Sequence, residues 1–236
     1  IFENPSILEL ARFIDKNTSE LPEENKAQLF VDKEEEYKPF PLTNVQFAYW
    51  IGRKGAFNMG RVSTHCYFEF ECEDLDIPKF QKVWNDMIIH HGMLRDVVCE
   101  SGEQKILKEV PMYLIQTASL VGFEEKVQEE YLTQVRKEMS GQVLNAEKWP
   151  LFDLKITIMD KKKSRLHINF DNLILDGWSM FALLDEMAKR YRANEYREKE
   201  LEISFRDYVI SLNEMRKTEK YEKDKAYWLE RLNNFG

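Results

Sequence analysis

Cysteine is scarce in this chain: Cys66, Cys72 and Cys99 are the only ones among 236 residues, and none stands in a Cys-x-x-Cys pair. Zinc ribbons and a disulfide framework are therefore disfavoured, and three reduced, buried thiols in a cytoplasmic protein are expected. Basic residues are outnumbered by acidic ones, 34 to 42, and the net charge of -8 argues against a nucleic-acid groove or an anionic membrane surface as partner. No apolar run approaches membrane-spanning length, and no basic-then-apolar leader is present. Glycine-rich phosphate loops are missing, which removes Walker and Rossmann readings. Imidazoles are few, His65, His90, His91 and His167, with no His-Glu-x-x-His and no Gly-x-Ser-x-Gly. Zinc proteases and triad hydrolases are thus disfavoured, and no metal site is expected. The first residue is Ile1 rather than Met, so a piece of a longer chain is expected.

What is present suffices for a core, with 43% apolar and 13% aromatic residues. Pro5, Ser6 and Glu9 read as a helix start with a capping box, and Ile7, Leu10, Ala11 and Ile14 form one apolar stripe ending near Lys16. Residues 17–39 turn polar and acidic, with Glu20, Glu23, Glu24, Asp32, Glu34, Glu35 and Glu36 set against Lys26, Lys33 and Lys38, the composition of a solvated linker. A boundary is expected inside that stretch.

From Phe40 onward elements alternate. Residues 62–72 alternate as a strand, and Asp76 caps a helix with Pro78 in its first turn and Phe80, Val83, Trp84, Met87, Ile88 and His91 facing inward. Short strands are predicted at 94–98, 104–110 and 113–116, and a charged helix over 123–139. Residues 152–159 and 165–170 read as a hairpin through the polar turn 160–164, and 205–232 as one long helix with Tyr208, Leu212, Met215 and Trp228 on the core. This order describes an α/β sandwich with a mixed sheet and flanking helices.

The hairpin delivers the most informative run, Asp171-Asn172-Leu173-Ile174-Leu175-Asp176-Gly177-Trp178-Ser179. Leu166, Ile168 and Phe170 alternate with Arg165, His167 and Asn169 as in a half-buried strand, and Met180, Leu183, Leu184, Met187 and Tyr191 recur at helical spacing behind Ser179, the expected N-cap. Two carboxylates at the mouth of a strand are a rigid base for chemistry.

Residues 40–53, Phe-Pro-Leu-Thr-Asn-Val-Gln-Phe-Ala-Tyr-Trp-Ile-Gly-Arg, resemble the opening motif of heterocyclization domains of non-ribosomal peptide synthetases. His91-Gly92-Met93-Leu94-Arg95 is similar to that family's second motif, and Asp171 to Asp176 to its third, in the family's order. Residues 149–152 and 227–232 resemble further family text, and residues 2–7 with Leu10 and Ala11 resemble the closing helix of a peptidyl carrier protein. The resemblance implies three segments: residues 1–16 as that carrier helix, 17–39 as a linker, and 40–236 as the first lobe of a chloramphenicol-acetyltransferase-like fold. It implies that a second lobe completes a tunnel, with phosphopantetheine arms of upstream and downstream carrier proteins entering it and an adenylation domain beyond. No cofactor is expected on the chain itself, and the lone lobe is expected to be inactive.

The resemblance further implies the chemistry. Amide-forming condensation domains begin the third motif with two histidines, whereas this chain has Asp171 and Asn172. A heterocyclization domain joins an acyl thioester to carrier-bound Cys, Ser or Thr and closes a thiazoline or oxazoline with loss of water. Asp171 and Asp176 are its candidate catalytic pair, with Arg95, Asn172 and Ser179 in support and Thr43, Gln46, Tyr49 and Arg53 lining the tunnel; Phe40, Leu42, Val45 and Ala48 read as core. A structural reading stands beside the catalytic one: Asp176 is expected to pair with Arg95, while Asp171 stays open between relay and scaffold. His90 stands where the family has Arg, and His91 reads as a hydrogen-bonded core residue. The alternatives are a non-catalytic carrier-docking scaffold, a plain amide-forming condensation domain, or an ordinary acyltransferase of the superfamily, which the missing histidine disfavours.

Overall fold

A computed structural model of the chain describes residues 6–17, 29–54, 62–193, 196–197 and 199–233. Phe2 to Pro5 of the carrier-like segment, and Glu20, Glu23, Glu24 and Lys26 of the acidic stretch, lie outside the described residues. The chain divides into two units, residues 1–30 with 211–236, and residues 31–210.

In the first unit, α1 (Ile7–Asn17) opens with the expected capping box. The Ser6 hydroxyl accepts from the Glu9 N–H at 3.2 Å, and the Glu9 carboxylate accepts from the Ser6 N–H at 3.2 Å. Its Ile7 is 90% exposed. The Phe30 N–H donates to the Ser211 hydroxyl at 2.9 Å.

The second unit is built on two sheets. One is three-stranded in the order β1-β4-β3 (β1 Phe40–Pro41, β3 Asp96–Val98, β4 Glu103–Ile106); the other is four-stranded in the order β2-β7-β6-β5 (β2 His65–Glu73, β5 Gln116–Ser119, β6 Phe152–Ile158, β7 Lys163–Asp171). Parallel pairing of β5 with β6 makes the second sheet mixed, as the element order implies. The Asp160 carboxylate accepts from the Lys162 and Lys163 N–H groups and fixes the β6–β7 turn.

Each face of β7 is covered by different chemistry. Leu166, Ile168 and Phe170 join the apolar core beneath α3 (Ile77–His90) and α5 (Gly177–Arg192), with Trp84 of α3 edge-on to Phe152 at 5.2 Å. Arg165, His167 and Asn169 lie on the other side with α4 (Glu125–Ser140), whose Arg136 binds the Glu69 carboxylate at 2.6 and 2.9 Å. Because both His167 and Asn169 are fully buried, β7 is covered on both faces rather than half-buried. A bonded polar layer makes that possible: the His167 ring meets the Tyr67 hydroxyl at 2.8 Å and Thr157 at 3.3 Å. Burial chiefly pulls the His167 imidazole down to about 4 and pushes the Tyr67 phenol up to about 12.

Several local expectations hold. Asp76 caps α3 by accepting from the Lys79 N–H, and Met180 and Met187 are buried as packing. Others are corrected. A 3-10 turn, Gly92–Arg95, replaces the start of the strand expected over 94–98, and β5 begins at Gln116, where the strand expected over 113–116 was to end. The long C-terminal helix is two, α6 (Phe205–Met215) and α7 (Glu219–Asn233), because Thr218 starts a new helix with its hydroxyl accepting from the Tyr221 N–H. Tyr208, Met215 and Trp228 are exposed; the buried apolar side chain of α6 is Val209, with Phe40 and Ile106, and Phe205 packs beside them. The three thiols are free and half-buried rather than buried. The end of the acidic stretch is bonded within this unit: the Asp32 N–H donates to Asp207 of α6, and Glu35 pairs with Arg206 at 3.4 Å.

Candidate active site

β7 ends on Asp171, and its carboxylate is the centre of the loop that follows. One oxygen accepts from the Leu173 N–H at 2.9 Å, closing a side-chain turn; the other forms an ion pair with Arg53, the last residue of α2 (Asn44–Arg53). Both partners are sealed, Asp171 at 1% and Arg53 at 7% side-chain exposure. Arg53 also donates to the Leu144 carbonyl at 3.2 Å. The Asn172 N–H donates to the Thr64 carbonyl, while Leu173 and Ile174 bury their side chains in the core. The loop is therefore tied at its backbone, its first carboxylate and its apolar centre.

Asp176 does a different job from the one expected. It is exposed, and its carboxylate accepts from the Ser179 N–H at 2.7 Å as the N-cap of α5. Hydrogen bonding from Ser179 and the neighbouring backbone holds its carboxyl below the usual range. The expected pairing with Arg95 does not form. Arg95 is buried and donates to the backbone carbonyls of Leu107 at 2.9 Å, Ile88 at 2.6 Å and Ile89, closing the end of α3. The unpaired carbonyls at a helix C-terminus attract a guanidinium more strongly than a carboxylate that water and a helix start already satisfy. Ser179, expected as the cap, is instead the third helical residue that Asp176 receives.

The first motif meets this loop through an amide. Thr43 and Gln46 form a capping box on α2, which leaves the Gln46 amide pointing inward. It donates to the Leu173 carbonyl at 2.7 Å and to the Gln104 side chain at 2.8 Å, and Gln104 donates back at 3.0 Å and to the Pro41 carbonyl at 2.9 Å. With Gln46 turned in, Val45 and Ala48 face solvent, against the expectation of core, while Phe40 is fully buried and Leu42 and Tyr49 pack at the core's edge. Gln104 had no place among the candidate residues. Its signal was the alternation of Gln104 and Ile106 on the inward side of β4, a polar group where burial demands a partner.

Structure thus brings Thr43, Gln46, Arg53 and Asp171 together, puts Asp176 and Ser179 at the exposed start of α5, leaves Asn172 half-buried between them, and moves Arg95 elsewhere. Trp178, 86% exposed, gives this end of α5 an apolar tip. His65 pairs in register with Asp171, but its ring nitrogens meet Ser63 and the Ser140 carbonyl. Among the described residues, the cluster with metal-ligand spacing lies apart from this loop, at His90, His91 and Glu186.

A mixed sheet flanked by helices, with an aspartate loop at a strand end and a helix starting on it, defines one lobe of the chloramphenicol-acetyltransferase-like fold. A family model for the condensation domain matches residues 36–236, and the chain belongs to that family within the non-ribosomal peptide synthetases. It is 36% identical over its whole length to bacitracin synthase 1 of Bacillus licheniformis, 31% identical over 83% of the chain to pyochelin synthetase PchF of Pseudomonas aeruginosa, and 25% identical over 97% to phenyloxazoline synthase MbtB of a Mycobacterium species. The chain spans 4%, 11% and 19% of those relatives' lengths. Among solved structures, the EpoB cyclization-docking bidomain from Sorangium cellulosum superposes with a TM-score of 0.87 at 30% identity, over 98% of this chain and 47% of that one.

Proposed function

We propose that this chain supplies the first lobe of a heterocyclization domain in a cytoplasmic non-ribosomal peptide synthetase. Residues 1–16 are the end of a carrier domain and 17–39 the connection between the two. The domain condenses a carrier-bound acyl thioester with the amine of carrier-bound Cys, Ser or Thr; the thiol or hydroxyl then attacks the new amide carbonyl, and loss of water leaves a thiazoline or oxazoline. The observation that carries the reading is the loop after β7, with its sealed Arg53–Asp171 pair and Asn172, at the motif that begins with two histidines in the amide-forming domains it resembles. A relative whose name speaks of a phenyloxazoline and a structural neighbour described as a cyclization domain support it.

In this reading Asp171 and Asp176 act by position. Asp171 is closed off from substrate by Arg53, and Asp176 fixes the start of α5 at the rim. Tethered arms and a narrow passage hold amine, carbonyl and side chain together, an effect on the order of 7 to 11 kcal/mol at best. Thr43, Gln46 and Tyr49 support the wall of that passage through α2, and a second lobe and an adenylation domain complete the module.

The test is reconstitution of the intact module with its carrier proteins, loaded in turn with Cys, Ser and Thr. A carrier-bound product lighter by one water than the linear amide is expected. Linear amide alone, from all of them, would establish a plain condensation domain, and no product at all would favour the docking scaffold.

A further inference from the structure

Two imidazoles and a carboxylate converge where α3 ends against α5. His90 closes α3, His91 caps it with its N–H on the Met87 carbonyl, and Glu186 reaches over from α5. His91 Nε2 lies 3.0 Å from Glu186 Oε2, and the two imidazole rings stand edge-on with centroids 4.8 Å apart. One donor atom from each of His90, His91 and Glu186 lies within 4.8 Å of the other two, and all three residues are half-buried. One turn along α5, Arg190 donates to Glu186 Oε1 at 2.8 Å, which leaves Oε2 directed at the imidazoles.

We propose that His90, His91 and Glu186 form a binding site for a borderline divalent cation, Zn²⁺ before others, with solvent at the fourth position. Two imidazole nitrogens and one carboxylate oxygen are a donor set that Zn²⁺ takes, whereas Mg²⁺ and Ca²⁺ ask for oxygen throughout. Tetrahedral coordination at zinc distances separates donor atoms by about 3.3 to 3.5 Å. The 3.0 Å between His91 and Glu186 needs to open only slightly to reach that, and no donor spacing in the cluster exceeds 4.8 Å. Arg190 orients the carboxylate from behind, as outer partners of metal ligands do. A bound ion would join the end of α3 to the middle of α5, the helix that Asp176 starts. Spacing rules for local motifs do not see such a site, because its carboxylate lies 95 residues from His91.

The competing account is a plain hydrogen-bonded string of His91, Glu186 and Arg190, and one experiment separates the two. The full chain is stripped with a chelator and titrated calorimetrically with ZnCl₂ at neutral pH, with MgCl₂ in parallel and Co²⁺ as a spectroscopic probe. Expected are one equivalent of Zn²⁺ bound, a Tm raised by Zn²⁺ and not by Mg²⁺, and tetrahedral Co²⁺ absorption without a thiolate charge-transfer band. His90→Ala leaves the His91–Glu186–Arg190 string whole and should weaken Zn²⁺ binding at least tenfold; Glu186→Gln should weaken it as well. Absence of binding, equal affinity in His90→Ala, equal response to Mg²⁺, or a thiolate band that assigns the ion to the cysteines would each overturn the site. None of these readouts depends on the reaction proposed above.

Discussion

The Arg53 guanidinium closes over the Asp171 carboxylate and ties the end of α2 to the end of β7. Breaking a buried pair from one side strands the other charge. Arg53→Ala should therefore destabilise the protein by about 3 to 5 kcal/mol, and Asp171→Asn by less, since an amide still accepts from the Leu173 N–H. Urea unfolding of both single variants and the double variant measures this; a double variant costing the sum of the two singles would show that the pair is not coupled.

Asp176 and Arg95 work at separate helix ends. Asp176→Ala should cost about 1 kcal/mol by loss of the α5 cap, with Asp176→Asn nearly neutral. Arg95→Ala removes donors from three carbonyls and should cost about 2 kcal/mol or more. The energies should add to within about 0.5 kcal/mol; a larger coupling energy would restore the ion pair that the structure denies.

His167 makes stability fall on acidification. Its imidazole titrates near 4 in the fold against 6.5 when free, because burial disfavours the charged form. Between those values the unfolded chain takes up the proton first, so stability is whole above about pH 6.5 and is lost as pH drops toward 4, by roughly 3 kcal/mol at most. His91, also held low, adds in the same direction. Tm against pH should slope downward below 6.5 in the wild type and less steeply in His167→Gln; equal slopes would exclude His167 as a source.

Asp96 gives the opposite sign. It is 1% exposed, and neither carboxylate oxygen has a hydrogen-bond partner among the described residues. Burial raises its pKa well above the usual value, so the fold favours the protonated acid. Its contribution is complete at low pH and declines as pH rises through the folded pKa. Asp96→Val removes the orphaned group from β3 and should raise stability at pH 8 by about 1 to 3 kcal/mol, with a smaller gain at pH 4. A loss at pH 8 would mean that the carboxyl has a stabilising partner.

Local chemistry made much of this fold readable. Asp76 and Pro78 announced α3, Ser6 and Glu9 announced α1, and strict alternation through Leu166, Ile168 and Phe170 gave the strand that carries the site. Partner choice was not readable, because it depends on residues distant in sequence. Arg95 had carboxylates and carbonyls to choose from, and only the fold places the end of α3 beside it. Arg53 and Asp171 are 118 residues apart and share no periodic pattern. The break at Thr218 was masked by unbroken helical composition on both sides, since a single hydroxyl cap outweighs propensity only when a new turn begins there.

The back-to-back amides of Gln46 and Gln104 hold α2 against β4 without any group that gains or loses a proton. Acid, alkali and added electrolyte leave this joint alone. α2 is therefore seated against β4, beneath the aspartate loop, by a contact that is indifferent to its ionic surroundings.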